Sequence, residues 1–538
     1  MHSKLRNSVI RFSHFFILSI LIILIHACSG TMEEKSDSSS YFLSDEYSIQ
    51  DKIKTMLLDE NLNAFGYSED EKQWLREFYL KRNYTPLWVN DSTLTQRGQE
   101  MQETIKHSLW FGIPDNRLKK PEFKDDIFVR DEILLTASTA QMVRDLDSGF
   151  MDLEGKKYET RCFASHDKIN QLLKRKLPCD SIFLQCGPLD SNYRFFANHL
   201  FNYCESTPLD KSTFKIKPLK EDSIHSFSNT KEALVSKGYL SKNENDSIKI
   251  VEALKYFQGH NGLKTDGKIG KYTVIALNES TYNKVLRAAL NLEKLRVKPK
   301  DPEKFIRINL PEYRLRYYAK DSLKSVHNIV IGKTENQTPE LHSKIRNIVV
   351  FPFWKVPYSI ASKEILPELK RNSGYLEKHH YKLYRNKTEI DGHSINWKRI
   401  KENSFPYTVI QQPGIANSLG IIKFEFFNDF SVYVHDTPSK GLFGVDVRSY
   451  SHGCMRCQNP VDLGKMILNY DSLGTKRNDL TADSLDSLLL LKENYTIRLK
   501  DQVPIFVEYS TVTADIDRIV FWLDIYKRDE EYLNFLRN

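Results

Sequence analysis

The sequence predicts a multidomain α+β protein in which a helical scaffold and a small three-helix module precede a β-rich domain with a capping insertion. Three observations carry that expectation. The 538-residue chain exceeds what one hydrophobic core serves and should divide into about three or four units. Apolar residues recur at helical spacing up to about residue 300, and beyond it they alternate in strand-length runs. The composition, 40% hydrophobic and 28% charged with a mean hydropathy of -0.48, belongs to a folded, water-facing chain rather than a disordered or multiply membrane-spanning one.

Residues 1–27 read as a leader. Lys4, Arg6 and Arg11 precede an eleven-residue apolar run, Phe15 to Ile25, broken only by Ser19, and Ile25-His26-Ala27-Cys28 follows. A spanning helix needs about 20 residues, whereas this length suits a secretory signal. The stretch resembles a bacterial lipoprotein signal. That resemblance implies lipidation of Cys28, contact with a membrane through the N-terminal lipid, and a periplasmic location in the cell envelope. An ordinary cleaved signal or an N-terminal anchor is the alternative. Residues 28–45 are a polar, serine-rich tether. Without the three leader charges the net charge falls from +8 to +5, too small and scattered for a nucleic-acid partner.

Residues 46–229 read as the helical scaffold. Trp74, Leu75, Phe78 and Tyr79 stripe one helix face, ending before Thr85-Pro86-Leu87-Trp88, and a second helix runs through Ile133, Ala137 and Ala140. Such aromatic stripes are core features before they are anything else. Cys162, Cys179, Cys186 and Cys204 are separated by 17, 7 and 18 residues, without the CxxC or histidine spacing of a zinc site. In an oxidising envelope one or two disulfides and four free thiols are equally good readings.

Residues 230–280 form a compact helical unit, and residues 281–300 a helical return to the scaffold. Phe257-Gln258, Gly262-Leu263, Asp266-Gly267, Gly270 and Thr273 resemble the peptidoglycan-binding type 1 module, a three-helix domain. The resemblance implies affinity for cell-wall peptides; nothing in the unit looks catalytic.

The β-rich domain is expected over 301–538. Phe305–Leu310, Leu315–Tyr318, Val326–Ile331 and Ile345–Phe351 read as strands. From about 354 to 406 strand alternation is absent, which suggests a cap over a site. Gly420–Phe427 and Phe430–His435 then form a hairpin around Asn428-Asp429.

That hairpin leads to the chemistry. Val434-His435-Asp436-Thr437 precedes Ser451-His452-Gly453-Cys454-Met455-Arg456, so a cysteine, two histidines and an arginine fall close together. A thiol is mostly protonated at neutral pH and needs a base or a positive neighbour to become a nucleophile. Cys454 is the candidate nucleophile and His435 its base, with the backbone carbonyl of Asp436 fixing the far ring nitrogen. Gly453 permits a sharp turn, and its amide with that of Cys454 can donate to an oxyanion. His452 can assist there or pin the loop, and Arg456 can pair with a substrate carboxylate. Cys457 makes a formal CxxC with Cys454, but the βαβ context of a redox motif is missing.

His435 with Ser451-His452-Gly453-Cys454-Met455-Arg456 and Asn459-Pro460 resembles the catalytic motif of YkuD-type L,D-transpeptidases. Thr338-Pro339, Trp354-Lys355-Val356-Pro357, Lys363-Glu364-Ile365-Leu366-Pro367, His435-Asp436-Thr437-Pro438, Val503-Pro504 to Tyr509 and Asp524-Ile525-Tyr526 are similar to the large YcbB-type branch. Phe351 departs from the pattern, standing where relatives commonly place Asn. The resemblance implies a YkuD-like catalytic fold and cysteine acyl transfer on peptidoglycan stem peptides. Cys454 would attack a tetrapeptide donor and release D-Ala, and the diamino-acid amine of an acceptor stem would resolve the thioester into a 3→3 cross-link. Ser451, Arg456 and Trp354 would contact substrate, and carbapenems would acylate Cys454. The chemistry calls for no metal or organic cofactor. An L,D-carboxypeptidase, and a wall-binding lipoprotein without catalysis, are the alternatives.

Overall fold

The computed structural model describes residues 47–90, 93–120, 128–159, 162–471 and 480–537; the expected leader, Cys28 and tether lie outside them. Among the described residues no helix is long and apolar enough to cross a membrane.

The N-terminal region is helical. Helix Glu69–Leu80 starts at Ser68, whose side chain and Glu71 cap one another's backbone, and its Trp74, Leu75, Phe78 and Tyr79 stripe is buried. Trp74 and Phe78 stack with ring centroids 4.9 Å apart. Helix Phe128–Ser148 contributes the buried Glu132, which accepts the N–H groups of Leu87 and Trp88 at 2.8 Å and the Tyr79 hydroxyl at 2.7 Å. The Pro86-Leu87-Trp88 stretch is thus tied into the core. Cys179, Cys186 and Cys204 are buried and Cys162 is exposed, all as free thiols.

Helices Ser226–Ser236, Ser247–His260 and Lys271–Asn278 share an apolar cluster built on Leu234, Leu254, Phe257 and Leu277. The first of them begins ahead of the expected boundary at 230, and Ile216 joins the cluster. Buried Gln258 accounts for the turn motif: Nε2 donates to Asp266 Oδ1, the Lys268 carbonyl and Thr273 Oγ1 at 3.1–3.2 Å, and Oε1 accepts the Gly267 N–H at 2.8 Å.

Helix Thr281–Arg296 is the strut between regions. Glu293 accepts the N–H groups of Phe150 (2.6 Å) and Met151 (2.9 Å), and Arg296 donates to the Phe111 carbonyl at 2.9 Å. On another side Arg287 donates to the Trp522 carbonyl at 2.7 Å, and Lys294 to the Tyr509 carbonyl at 3.0 Å. Charged side chains are buried here because each meets a fixed partner.

The C-terminal domain is built on one nine-stranded mixed sheet. Its strands follow the order 449–451, 322–332, 455–457, 434–435, 422–426, 341–350, 495–508, 304–309, 314–319, and the last pairs back onto 322–332. The closed circuit encloses a core of alternating residues, among them Ile306, Ile329, Ile348, Phe424, Val434, Met455 and Ile505. Helix Pro460–Asp471 lies against it, with Gly464 at close approach to Ile422 and Leu485. The four expected strands are present; of the expected hairpin, 422–426 pairs antiparallel with Val434–His435 only, so its second strand is shorter than expected and the connection runs over 427–433. Phe351 has a left-handed φ of 43°, a conformation that Asn tolerates and Phe does not favour, which gives the departure at this position a backbone cost.

The insertion differs from expectation in one respect. It holds a four-stranded sheet in the order Trp354–Lys355, Thr408–Gln411, Tyr381–Arg385, Thr388–Ile390, and so reaches Gln411 rather than 406. These strands are two to five residues long, too short to display alternation, and one hairpin turns on Asn386 and Lys387, both at positive φ. The insertion has its own apolar cluster, including Leu369, Leu383, Trp397 and Val409.

Candidate active site

Three neighbouring strands present one face to the sheet core and the other to the site. Ile422, Phe424, Val434, Met455 and Cys457 point inward and are fully buried. The alternate residues Lys423, Glu425, Tyr433, His435, Cys454 and Arg456 therefore share the opposite face. Lys423 pairs with His435 across an antiparallel ladder, and His435 with Arg456 across a parallel one. This alternation brings together residues 19 apart in sequence. It also settles Cys457, whose thiol faces the core, opposite to that of Cys454.

His435 is buried, and its Nδ1 donates to the Asp436 carbonyl at 2.5 Å. Burial, then the Arg456 charge, lowers its pKa to about 3, against the pull of the Asp436 and Leu419 carbonyls. The ring is neutral at physiological pH and so carries an unprotonated nitrogen, while a pKa this far below 7 makes it a weak base in this arrangement. Among the described residues no hydrogen bond joins it directly to Cys454. The Asp436 carboxylate accepts the Ile421 N–H at 3.1 Å and pairs with Lys440. Gly420 lies under it at a φ of 61°, where a Cβ would meet Asp436 at 2.2 Å, so no larger residue fits this corner.

Burial pushes the Cys454 thiol above its ordinary pKa. The Tyr433 amide and hydroxyl, followed by the Lys423 and Arg456 charges, favour the thiolate. Tyr433 also faces the Trp354 indole, and its ring lies 5.6 Å from that of His435. The Lys423 ammonium sits 4.9 Å from the Tyr433 centroid and 2.6 Å from Glu425 Oε1. Arg456 is half-buried, its pKa lowered by burial and raised by Cys454; among the described residues its guanidinium has no ion-pair partner.

The loop before Cys454 is held from several sides. Gly453, at a φ of 114°, has its N–H taken by Ser451 Oγ at 3.1 Å, and the same hydroxyl donates to the Cys454 carbonyl at 2.5 Å. Thr338 Oγ1 donates to the Gly453 carbonyl at 2.8 Å and accepts the Gly332 N–H at 2.9 Å. The Tyr526 hydroxyl then donates to the Gly332 carbonyl at 2.5 Å, which explains why the C-terminal tail belongs to the motif set.

Three residues with expected roles have these partners. Ser451, expected at the substrate, is buried and used within the loop, and the Gly453 amide is taken by its hydroxyl, while the Tyr433 amide and hydroxyl are donors beside the sulfur. His452, expected to assist at the oxyanion or pin the loop, meets Glu364 of the cap, Nε2 to Oε1 2.5 Å. Trp354 reaches the site through Tyr433. Sequence reasoning missed Tyr433, Lys423 and Glu364; the first two share strand parity with His435, a signal that was available.

Residues 303–476 match the L,D-transpeptidase catalytic domain, YkuD, and residues 73–194 match the Scaffold domain. A Haemophilus influenzae protein named "Putative L,D-transpeptidase" is 32% identical over 246 residues, covering 46% of this chain and 48% of that protein. The chain thus spans about half the length of the curated relative it matches. Among solved structures, the Ldtfm–avibactam carbamoyl enzyme aligns at 13% identity over 40% of this chain and 52% of its own, with a TM-score of 0.19. L,D-transpeptidase (Yku) from Stackebrandtia nassauensis aligns at 12% identity over 56% and 96%, with a TM-score of 0.18. The match to the L,D-transpeptidase catalytic domain, YkuD, thus covers the part of the chain that holds Cys454 and His435, and the match to the Scaffold domain precedes it.

Proposed function

We propose that this protein is an L,D-transpeptidase that forms 3→3 peptidoglycan cross-links through a thioester on Cys454. The observation that carries the reading is the shared face of Cys454, His435, Tyr433 and Arg456 within the matched domain. Neutral His435 accepts the Cys454 proton as sulfur attacks the carbonyl of the third residue of a tetrapeptide stem. Its ring faces the Asp436 and Leu419 carbonyls, and proton transfer from the sulfur requires it to turn toward Cys454. The tetrahedral oxyanion takes hydrogen bonds from the Cys454 N–H and the Tyr433 hydroxyl. Arg456 pairs with a donor carboxylate. His435 returns the proton to the departing D-Ala amine, and the thioester is left. The side-chain amine of an acceptor stem then attacks it, the C–S bond breaks, and the amine proton passes by way of His435 to the sulfur. Attack by water instead gives the L,D-carboxypeptidase product.

The three-helix unit is proposed to bind the wall, on the strength of the Gln258-centred turn motif, with catalysis delivered to the envelope by lipidation of Cys28. The test is incubation of the full chain with tetrapeptide-containing muropeptides. Dimers linked 3→3 with release of D-Ala support the reading; binding without any new product contradicts it.

Tyr433→Phe should lower kcat about 10²–10³-fold with little change in KM, the loss expected for one oxyanion donor. The same hydroxyl favours the thiolate, so alkylation of Cys454 by a thiol reagent should shift to higher pH in this variant. Steady-state kinetics and the pH profile of alkylation check both.

A further inference from the structure

One contact at the site plays no part in the acyl-transfer chemistry. His452 Nε2 lies 2.5 Å from Glu364 Oε1, joining the catalytic loop to the cap across 88 residues of sequence. The two side chains are 34% and 52% exposed, so burial does not force the pair together. An exposed pair of this kind contributes little to folding stability, and its loss should spare the fold.

Glu364 sits where the cap helix is irregular. Between Tyr358 and Arg371 the helix widens from α to π register over Ala361–Ile365. Pro367 lies just beyond and has no N–H for an α-helical acceptor, and a widened turn relieves that defect. The cap's apolar cluster, with Ile365, Leu369, Trp397 and Val409, is separate from the sheet core, with Ile422, Val434 and Met455. The cap can lift without unpacking the sheet. At its first strand Trp354 faces Tyr433, so the cap meets the catalytic domain at two points.

We propose that Glu364 is a positioning residue that latches the cap to His452 over the Cys454 thioester, and that this latch sets how the acyl-enzyme partitions between acceptor amine and water. The inference rests on the acyl-transfer reading above. With the cap docked, bulk water is kept from the thioester carbonyl. Aminolysis breaks the C–S bond, forms the amide and returns the thiol; hydrolysis breaks the same bond, forms the tripeptide carboxylate and returns the same thiol. Undocking favours the second.

The experiment compares the full-length wild type with Glu364→Gln, Glu364→Ala and the charge-exchanged pair Glu364→Lys with His452→Glu. Each is incubated with tetrapeptide muropeptides, and tripeptide and 3→3 dimer are quantified by mass spectrometry. The two single variants should raise the tripeptide-to-dimer ratio about 5-fold or more at unchanged melting temperature, and the exchanged pair should bring the ratio back toward wild type. An unchanged ratio in both single variants overturns the latch, whether or not total turnover falls. A wild type that makes neither product overturns the acyl-transfer reading, and the latch with it.

Discussion

Replacing Cys454 with alanine is expected to abolish both dimer and tripeptide formation, a loss of about 10⁴-fold or more, because members of a nucleophile–base set act as a unit. Alanine leaves the backbone turn at Gly453 and the Ser451 and Thr338 tethers untouched, so the variant should keep its melting temperature and its affinity for wall fragments. Liquid chromatography of muropeptide digests measures the first effect, and thermal unfolding with a pull-down on purified wall measures the second. Retained turnover would place the nucleophile elsewhere. The other thiol nearby, Cys457, is enclosed in the sheet core and its pKa is raised by that burial, which makes it a poor substitute.

The second large effect is expected at His435. His435→Gln keeps a side chain of similar reach and removes the proton acceptor, so turnover should fall about 10²–10⁴-fold. The substitution also has a signature in stability. The imidazole titrates at about 3 in the folded chain and at about 6.5 when unfolded. Between those values the unfolded chain binds a proton that the folded chain does not. This group's contribution to wild-type stability is therefore complete above about pH 6.5 and is lost as the pH falls toward 3. Glutamine does not titrate. The difference in melting temperature between wild type and His435→Gln should move against the wild type from pH 7 to pH 4.5. Parallel profiles would mean that His435 is not held neutral by burial.

Much of this was legible in the sequence because strands buried on one face write their geometry into alternation. Ile422-Lys423-Phe424-Glu425-Phe426 and Val432-Tyr433-Val434-His435 show it, and the same parity that marks His435 as site-facing marks Tyr433 and Lys423. The motif cysteine could be assigned a role because a glycine turn and a histidine accompany it. What stayed hidden depended on how groups are spent. That the Gly453 amide goes to Ser451 Oγ, and that His452 goes to the cap, follows from loop geometry fixed by Thr338 and Tyr526, residues more than 70 positions away. The cap's strands escaped because they are brief, and Glu364 because it lies in a π turn rather than a regular helical one. Gln258 shows the reverse case: its neighbours in the motif were recognised by resemblance, and the structure supplies the reason, a single buried amide that satisfies the whole turn.

The central claim is a covalent acyl-enzyme on Cys454, and trapping it is the direct measurement. The protein is mixed with a tetrapeptide stem without an amine acceptor, quenched in acid within the first turnover, digested and mapped by mass spectrometry. The peptide containing Cys454 should carry the mass of the stem tripeptide acyl group, with one D-Ala released per adduct and no adduct in Cys454→Ala. D-Ala released with the adduct on another residue, or with no adduct at any time point, would contradict the account.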